Sequence, residues 1–350
     1  MLPRPFTLRV AAALSALALG VVGLVAPVSD EPGAHRATAS HQVAAKVAAK
    51  AGGDPRKKLG LYVDPTMPAY QRGGVYRDRI GRYAQAFWLI PEAYDTSQVR
   101  GRVQQYTGAA SAARKTPVLT VYGIPGRDCG QYSSDNPLTT AAEYRGWIRK
   151  IASGLQGQHA MVILEPDALA LFSSSVSSCP TVPDGWQAML RFASKRLSAS
   201  GAWVYLDAGH SNWTPYATRP KFLKAAGIGY DRGFSTDVSN FRPTGDEKAY
   251  AQFLLRGLRK LGIHGKHYVI DTSRNGATPS SDGYDVINPT WARLGVAPRL
   301  VFDGAFDGRL WVKHPGESDG EKYGGGPSGQ WCDMLADRLI AGTSSRSSCP

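Results

Sequence analysis

Acidic and polar residues recur in this chain directly after short apolar runs. One run ends in Tyr122-Gly123-Ile124-Pro125-Gly126-Arg127-Asp128-Cys129, and another in Glu165-Pro166-Asp167. Others lead into Asp207-Ala208-Gly209-His210-Ser211-Asn212-Trp213, Asp237-Val238-Ser239-Asn240 and Asp271-Thr272-Ser273-Arg274. The last gives Trp311-Val312-Lys313-His314-Pro315-Gly316-Glu317-Ser318-Asp319. A single Asp after a strand usually caps a helix or closes a turn. Six acids or acid pairs in the same position of successive units ask for another explanation. Paired carboxylates beside aromatic rings, without metal-ligand spacing, are the equipment of glycosidic bond hydrolysis, in which one acid protonates the leaving oxygen and another activates water.

Competing chemistries fit less well. Gly316-Glu317-Ser318-Asp319-Gly320 formally matches a nucleophile elbow, but all seven histidines precede Ser318 and the following stretch is Gly-rich. There is no H-E-x-x-H or C-x-x-C to bind a metal, and no G-x-G-x-x-G after the first strand to bind a dinucleotide. The formal charge is +13, yet no run of five basic residues occurs and Lys/Arg are interleaved with acids, which excludes a nucleic-acid surface.

The elements that must position these acids alternate. Strand candidates are Gly60–Val63, Ala86–Ile90, Pro117–Tyr122, Ala160–Leu164, Trp203–Leu206, Gly229–Phe234, Tyr268–Ile270 and Ala305–Val312. Most are continuous apolar runs, as parallel strands covered on both faces require. Helical stretches such as Ala141–Leu155, Trp186–Ser198 and Glu247–Leu261 lie between them. The alternation predicts an α/β fold, a β/α barrel or a doubly wound sheet. In a barrel the C-terminal strand ends converge on one face, which carries the chemistry. Trp147, Trp186 and Trp203 fall inside helix or strand patterns and read as core, whereas Trp88 and Trp213 sit at strand ends, where an indole can stack on a sugar. His210 reads equally as a structural histidine.

Three hundred and fifty residues, 43% hydrophobic and 20% charged, allow one large domain. Arg4 and Arg9 precede an uncharged apolar run, Val10–Val25. That run is short for a membrane span, which needs roughly 20 residues, and suits a signal peptide; an uncleaved anchor is the alternative. Four cysteines are compatible with two disulfides in an exported protein. Residues 1–39 are expected to be signal peptide and leader, residues 40–58 a flexible leader, and residues 59–350 the single catalytic domain.

The succession LYVDP, VYGIPGRDCG, ILEPDALA, YLDAGHSNW, STDVSNF, IDTSRNG and WVKHPGESDG, in order from Leu61 to Trp331, resembles family 6 of the glycoside hydrolases, cellulases that cut β-1,4-glucan. The resemblance implies a distorted, incomplete parallel β/α barrel, TIM-like with about seven strands, an inverting mechanism and no cofactor or metal. It implies Asp167 as general acid, Asp128 as the neighbour that keeps this acid protonated, and Asp319 as candidate base, with Lys313 and Arg274 paired to it. Tyr122 resembles the tyrosine under the distorted sugar. His210, Trp213, Asn240, Lys313 and Glu317 match sugar-contacting positions, Asp207 a buried supporting acid, and Trp88 a distal stacking platform. It also implies a Cys129–Cys179 bridge. Cys332–Cys349 is inferred without family support.

The sequence departs from the family where a Trp-Cys pair usually follows DTSRNG. Val286-Ile287 stand there, with Tyr284 near by, which predicts weaker stacking on the leaving side. Glu321 occupies the place of the cysteine that usually partners that pair. The stretches Asp167–Trp203 and Asp319–Trp331 hold no insertion long enough to roof a tunnel. The expected protein is therefore a secreted, monomeric endo-β-1,4-glucanase whose partner is a glucan, neither nucleic acid nor membrane. Alternatives are a non-catalytic or altered-specificity glycan-binding relative, or a cellobiohydrolase.

Overall fold

The computed structural model describes residues 53–173, 179, 182–278 and 287–350. The expected signal peptide, most of the leader, and Tyr284 and Val286 lie outside the described residues. Eight strands form one sheet among them: β1 (Phe87–Leu89), β2 (Val118–Val121), β3 (Met161–Leu164), β4 (Trp203–Asp207), β5 (Gly233–Thr236), β6 (His267–Asp271), β7 (Arg299–Asp303) and β8 (Phe306–Leu310). Their order is β1-β2-β3-β4-β5-β6-β8-β7; all neighbours are parallel except β7 and β8, an antiparallel hairpin. Seven parallel strands in a curled sheet are the incomplete barrel that the sequence predicts.

The strand sequences explain the curl. Val118-Leu119-Thr120-Val121 and Met161-Val162-Ile163-Leu164 are buried at every position, so both faces need cover. Leu119, Val121, Leu164, Leu206 and Ile270 pack outward against helices α1 (Val99–Ala112), α2 (Ala141–Gly154), α4 (Trp186–Ser198) and α6 (Thr244–Lys260). The intervening Val118, Met161, Ile163, Tyr205, Val269 and Leu310 form a second cluster inside the barrel. Shorter helices α3 (Ala168–Ser173) and α5 (Arg219–Ala225), and the C-terminal α7 (Asp333–Ala341), complete the layer. The start of α2 is a capping box: the Thr140 hydroxyl accepts from the Glu143 N–H while the Glu143 carboxylate accepts from the Thr140 N–H.

Four expectations are corrected. Gly60–Val63 is reduced to one parallel bridge, Leu61 to Thr116, because Asp64 turns the chain at once by accepting the Thr66 N–H. The fifth strand begins at Gly233, not Gly229, because Gly227–Asp231 is a turn closed by the Tyr230 and Asp231 N–H groups. β7 was not expected: its apolar run Leu300-Val301-Phe302 is only three residues long and half-buried, between exposed Arg299 and Asp303. Order also extends below residue 59: buried Arg56 donates to Ala160 O and Gly201 O and stacks on Trp203, 4.3 Å from the ring centre. Trp147 and Trp186 are core as expected, while Trp203 lies between the guanidinium groups of Arg56 and Arg232.

β8 and β1 flank the seam of the barrel. Three bonds cross it: Ala86 N–H to Trp311 O (3.0 Å), Trp88 Nε1–H to Val312 O (2.8 Å), and His314 Nε2 to Ala86 O (2.6 Å). Among the described residues, no helix is long and apolar enough to cross a membrane.

Candidate active site

A cleft of ≈ 690 Å³ opens at the C-terminal ends of the strands. The tips of β1 and β2 bring Trp88, Tyr122 and Asp128 into its wall; the ends of β3 and β4 bring Asp167, His210 and Trp213. Asn240 follows β5, and Lys313, Glu317 and Asp319 follow β8. Asp207 and Arg274 stand behind this lining, both buried. All twelve expected side chains are thus gathered at one end of the barrel.

Asp167 sits on a sharp turn between β3 and α3, with φ of +66° and Glu165 at +47°. A non-glycine residue in this region needs support from its surroundings. Asp207 supplies it across the β3–β4 pair, its Oδ1 accepting the Asp167 N–H and the Gly209 N–H at 3.0 Å each, and its Oδ2 the Ser235 hydroxyl at 2.9 Å. Buried Glu165 accepts the N–H groups of Gly123 and Ile124 and the Tyr144 hydroxyl, tying the β2 loop to the same turn.

Burial pushes the Asp167 carboxyl well above the usual range, and the charges of Asp207, Asp128 and Asp319 push it further. Among these neighbours Asp207 outweighs Asp128, whereas the sequence comparison put that task on Asp128. Asp207 itself is driven up by burial to about 7, against the pull of its three donors and of Arg219. Those donors stabilise the charged form, so of this coupled pair the proton resides on Asp167. Asp128, also in the left-handed region, is raised by burial, while its Oδ2 accepts the Ser133 N–H at 2.6 Å. Arg127 locks this loop by donating to Tyr122 O, Ser133 O and Asp135 O.

Asp319 is the opposite case. Burial opposes its charge, but Arg274 (2.6 Å) and Lys313 (3.2 Å) outweigh that, and its carboxyl lies below the usual range. Asn288 clamps the residue, its side-chain oxygen accepting the Asp319 N–H at 2.8 Å. The cleft therefore holds a protonated acid and a firmly ionised carboxylate.

Aromatic and polar groups complete the walls. Trp88 meets Tyr122 edge to face at 5.5 Å, and Trp213 lies 5.1 Å from His210. Burial and the charges of Arg242 and Arg219 bring His210 down to about 3, so it is neutral. Its Nδ1 accepts the Asn212 N–H, which leaves the proton on Nε2. Arg219, buried, donates to Ala208 O and Trp213 O and holds this loop from behind. Burial, and after it the charge of Asp128, keep the Tyr122 phenol protonated.

Several lining residues escaped the sequence reading. Tyr132 packs against Gly320, where a Cβ would come within 2.7 Å of its ring. Ser133 bonds Ser328 at 2.9 Å, so the loops bearing Asp128 and Asp319 touch. Ile287 is described and lines the cleft; the adjacent Val286 and Tyr284 lie outside the described residues. His314 occupies the variable place in K-x-P-G-E, and only its two bonds reveal it. Ser318 is buried and donates to Gly320 O and Gly326 O, a structural role that ends the nucleophile-elbow reading. Cys129 pairs with Cys179 and Cys332 with Cys349. Among the described residues no cluster of His, Cys, Asp or Glu is arranged to hold a metal ion.

The chain is similar to known proteins in sequence and in fold. Residues 73–341 match the family described as Glycosyl hydrolases family 6. Endoglucanase A of Cellulomonas fimi is 40% identical over 289 residues, which cover 81% of this chain and 61% of that protein. Endoglucanase A of Thermobispora bispora is 36% identical over 314 residues, 89% of this chain and 64% of that protein. The chain thus spans less than two thirds of the length of these two relatives. The endoglucanase Cel6 of Mycobacterium tuberculosis, solved with methyl-cellobiosyl-4-deoxy-4-thio-β-D-cellobioside, superposes with a TM-score of 0.74 at 38% identity, covering 83% of this chain and 99% of that one. The cellobiohydrolase Cel6A core of Chaetomium thermophilum, at 21% identity and a TM-score of 0.70, shares the fold. With the family match spanning most of the chain and relatives up to 40% identical over four fifths of it, this chain belongs to glycosyl hydrolases family 6.

Proposed function

We propose that this cleft hydrolyses internal β-1,4-glucosidic bonds with inversion, as a secreted endoglucanase. The observation that carries the reading is the pairing of a protonated Asp167 with an ionised Asp319 in one cleft lined by indoles. Asp167 donates its proton to the leaving oxygen as the bond lengthens. A water on the opposite face attacks the anomeric carbon, its proton passing to a carboxylate, as inversion requires. Asp128 sustains the protonation of Asp167 and helps position the water. Asp319 is the candidate base, although its two cations make it a weak one. Tyr122 lies under the distorted ring, Trp88 and Trp213 stack on sugar faces, and His210, Asn240, Lys313 and Glu317 contact hydroxyls. Asp207 and Arg274 hold the acid and the base.

The relatives named endoglucanase, from 35% to 40% identical over most of this chain, support the substrate class. The N-terminal apolar run supports export, with residues 1–39 as signal peptide and leader and residues 59–350 as the catalytic domain of a monomer. Asp167→Asn keeps the side chain neutral and isosteric, so the fold should stand while release of reducing ends from carboxymethyl-cellulose falls about 10²–10⁴-fold. A near wild-type rate would overturn the assignment of the acid. Early product must be the α-anomer by proton NMR; an initial β-anomer refutes inversion. Viscosity falling faster than reducing ends accumulate separates endo action from a cellobiohydrolase.

A further inference from the structure

His314 is buried with an acceptor against each ring nitrogen. Nε2 lies 2.6 Å from the carbonyl oxygen of Ala86, and Nδ1 lies 2.8 Å from Oε1 of Glu317. A neutral imidazole has one N–H and one lone pair, so in this place its lone pair would face a carbonyl or a carboxylate oxygen. Only the imidazolium donates to both. Burial works against its charge, and Lys313, next in the chain, repels it. The Glu317 carboxylate and the Ala86 carbonyl outweigh both, and hold the ring above its ordinary value.

The two acceptors come from opposite sides of the barrel seam. Ala86 immediately precedes β1, which carries Trp88, while Lys313 and Glu317 follow β8. We propose that His314 is a positioning residue: as an imidazolium it fastens Glu317 to the β1 edge, so that Trp88, Lys313 and Glu317 form one rigid wall for the glucan chain. The inference rests on the glucan reading of the cleft given above. When the proton leaves His314, one of the two bonds is lost and Glu317 is released from the seam. Affinity is therefore complete while the ring is charged, and declines as pH rises through the titration of the folded protein.

The test removes the competing titration of the acid. In an Asp167→Asn background, calorimetry of cellotetraose binding from neutral to mildly alkaline pH should show affinity falling as one proton is lost. His314→Gln in that background should remove one proton from the pH dependence, beside what Glu165 and Asp207 contribute near pH 7, and weaken binding at neutral pH about tenfold, the loss of a charge-assisted bond. In the wild-type protein, long-range nitrogen–proton NMR at neutral pH should show both nitrogens of His314 protonated, the signals being assigned by sequence-specific backbone-to-ring correlations. A neutral tautomer, or affinity unaffected by both pH and His314→Gln, overturns the proposal, and the NMR result stands whether or not the variant folds well. Failure of the glucan reading looks different: the folded wild type would bind no cellotetraose while the ring retained its imidazolium signals.

Discussion

Replacing the two disulfides separately, as Cys129→Ser/Cys179→Ser and Cys332→Ser/Cys349→Ser, should cause similar losses of stability and unlike losses of activity. The bridges close loops with sequence separations of 50 and 17 residues. On the chain-entropy treatment these correspond to about 4 and about 3 kcal/mol. At about 2.1 cal/mol/K per residue, unfolding roughly 300 ordered residues has an entropy near 0.6 kcal/mol/K, so Tm should drop by about 6–7 °C and about 5 °C. Position separates the two. Cys129 adjoins Asp128, both in the left-handed region at +51° and +57°, and the bridge ties that loop to the segment beyond the Asp167 turn. The second bridge holds the C-terminal tail, where the Cys349 N–H meets Gly324 O, and the direct holders of Asp319, the side chains of Arg274, Lys313 and Asn288, are carried by segments outside the loop it closes. Calorimetry for Tm, and kcat on carboxymethyl-cellulose well below both transitions, decide the matter. The first variant should lose most of its kcat and the second keep most of it. Full kcat in the first variant, with a Tm drop under about 2 °C, would refute both the entropy argument and the positioning of Asp128.

Three other outcomes are expected. Asp207→Asn retains the acceptor for the Asp167 N–H but removes the strongest of the like charges on it, so the Asp167 carboxyl should titrate lower and the alkaline limb of kcat/KM should move to lower pH; an unmoved limb would show that the charge of Asp207 does not keep the acid protonated. Glu165 and Asp207, driven by burial to about 7, and Asp231, to about 8, all lie above their unfolded values near 4. Their contribution is complete below about pH 4 and is lost progressively as pH rises from there through about 7–8, so Tm should fall over that range and level off above it, and Asp231→Asn should flatten the decline. Depressed Asp319 and Asp333 act in reverse, contributing above about pH 4 and being lost as pH falls below it, so a Tm still rising below about pH 3 would contradict the assignment. Trp88→Ala removes a stacking face worth on the order of 1 kcal/mol, and KM on cellotetraose should rise about fivefold but less on polymer, where other subsites compensate; equal effects on both would make Trp88 a structural residue only.

Strand character and the chemistry at strand ends were legible because both are local. Buried runs such as Val118–Val121 and Met161–Leu164 announce themselves by composition, and the polar residues after them must leave the sheet at its C-terminal edge. The motifs that mark the family lie in those same short segments. β7 was not legible, since a half-exposed strand paired only to its hairpin partner carries just the three apolar residues Leu300-Val301-Phe302, too short a run to stand out. Nor was the docking of Arg56 on the barrel, because its burial depends on Ala160 and Gly201, about a hundred residues or more away.

The sequence by itself determined which acids meet at the mouth of a parallel barrel, and that aromatic rings accompany them. Only the tertiary structure decided what each acid is. Asp167 and Asp319 are the same residue type after similar strands, yet burial beside Asp207 and Asp128 keeps one protonated, while Arg274 and Lys313 hold the other ionised. Protonation follows from the charges and donors that surround a group and from the water that is excluded, and those neighbours come from different strands once the sheet has curled. His314 is the extreme example: its bond to Ala86 spans 228 residues and exists only because the two ends of the sheet are brought together at the seam.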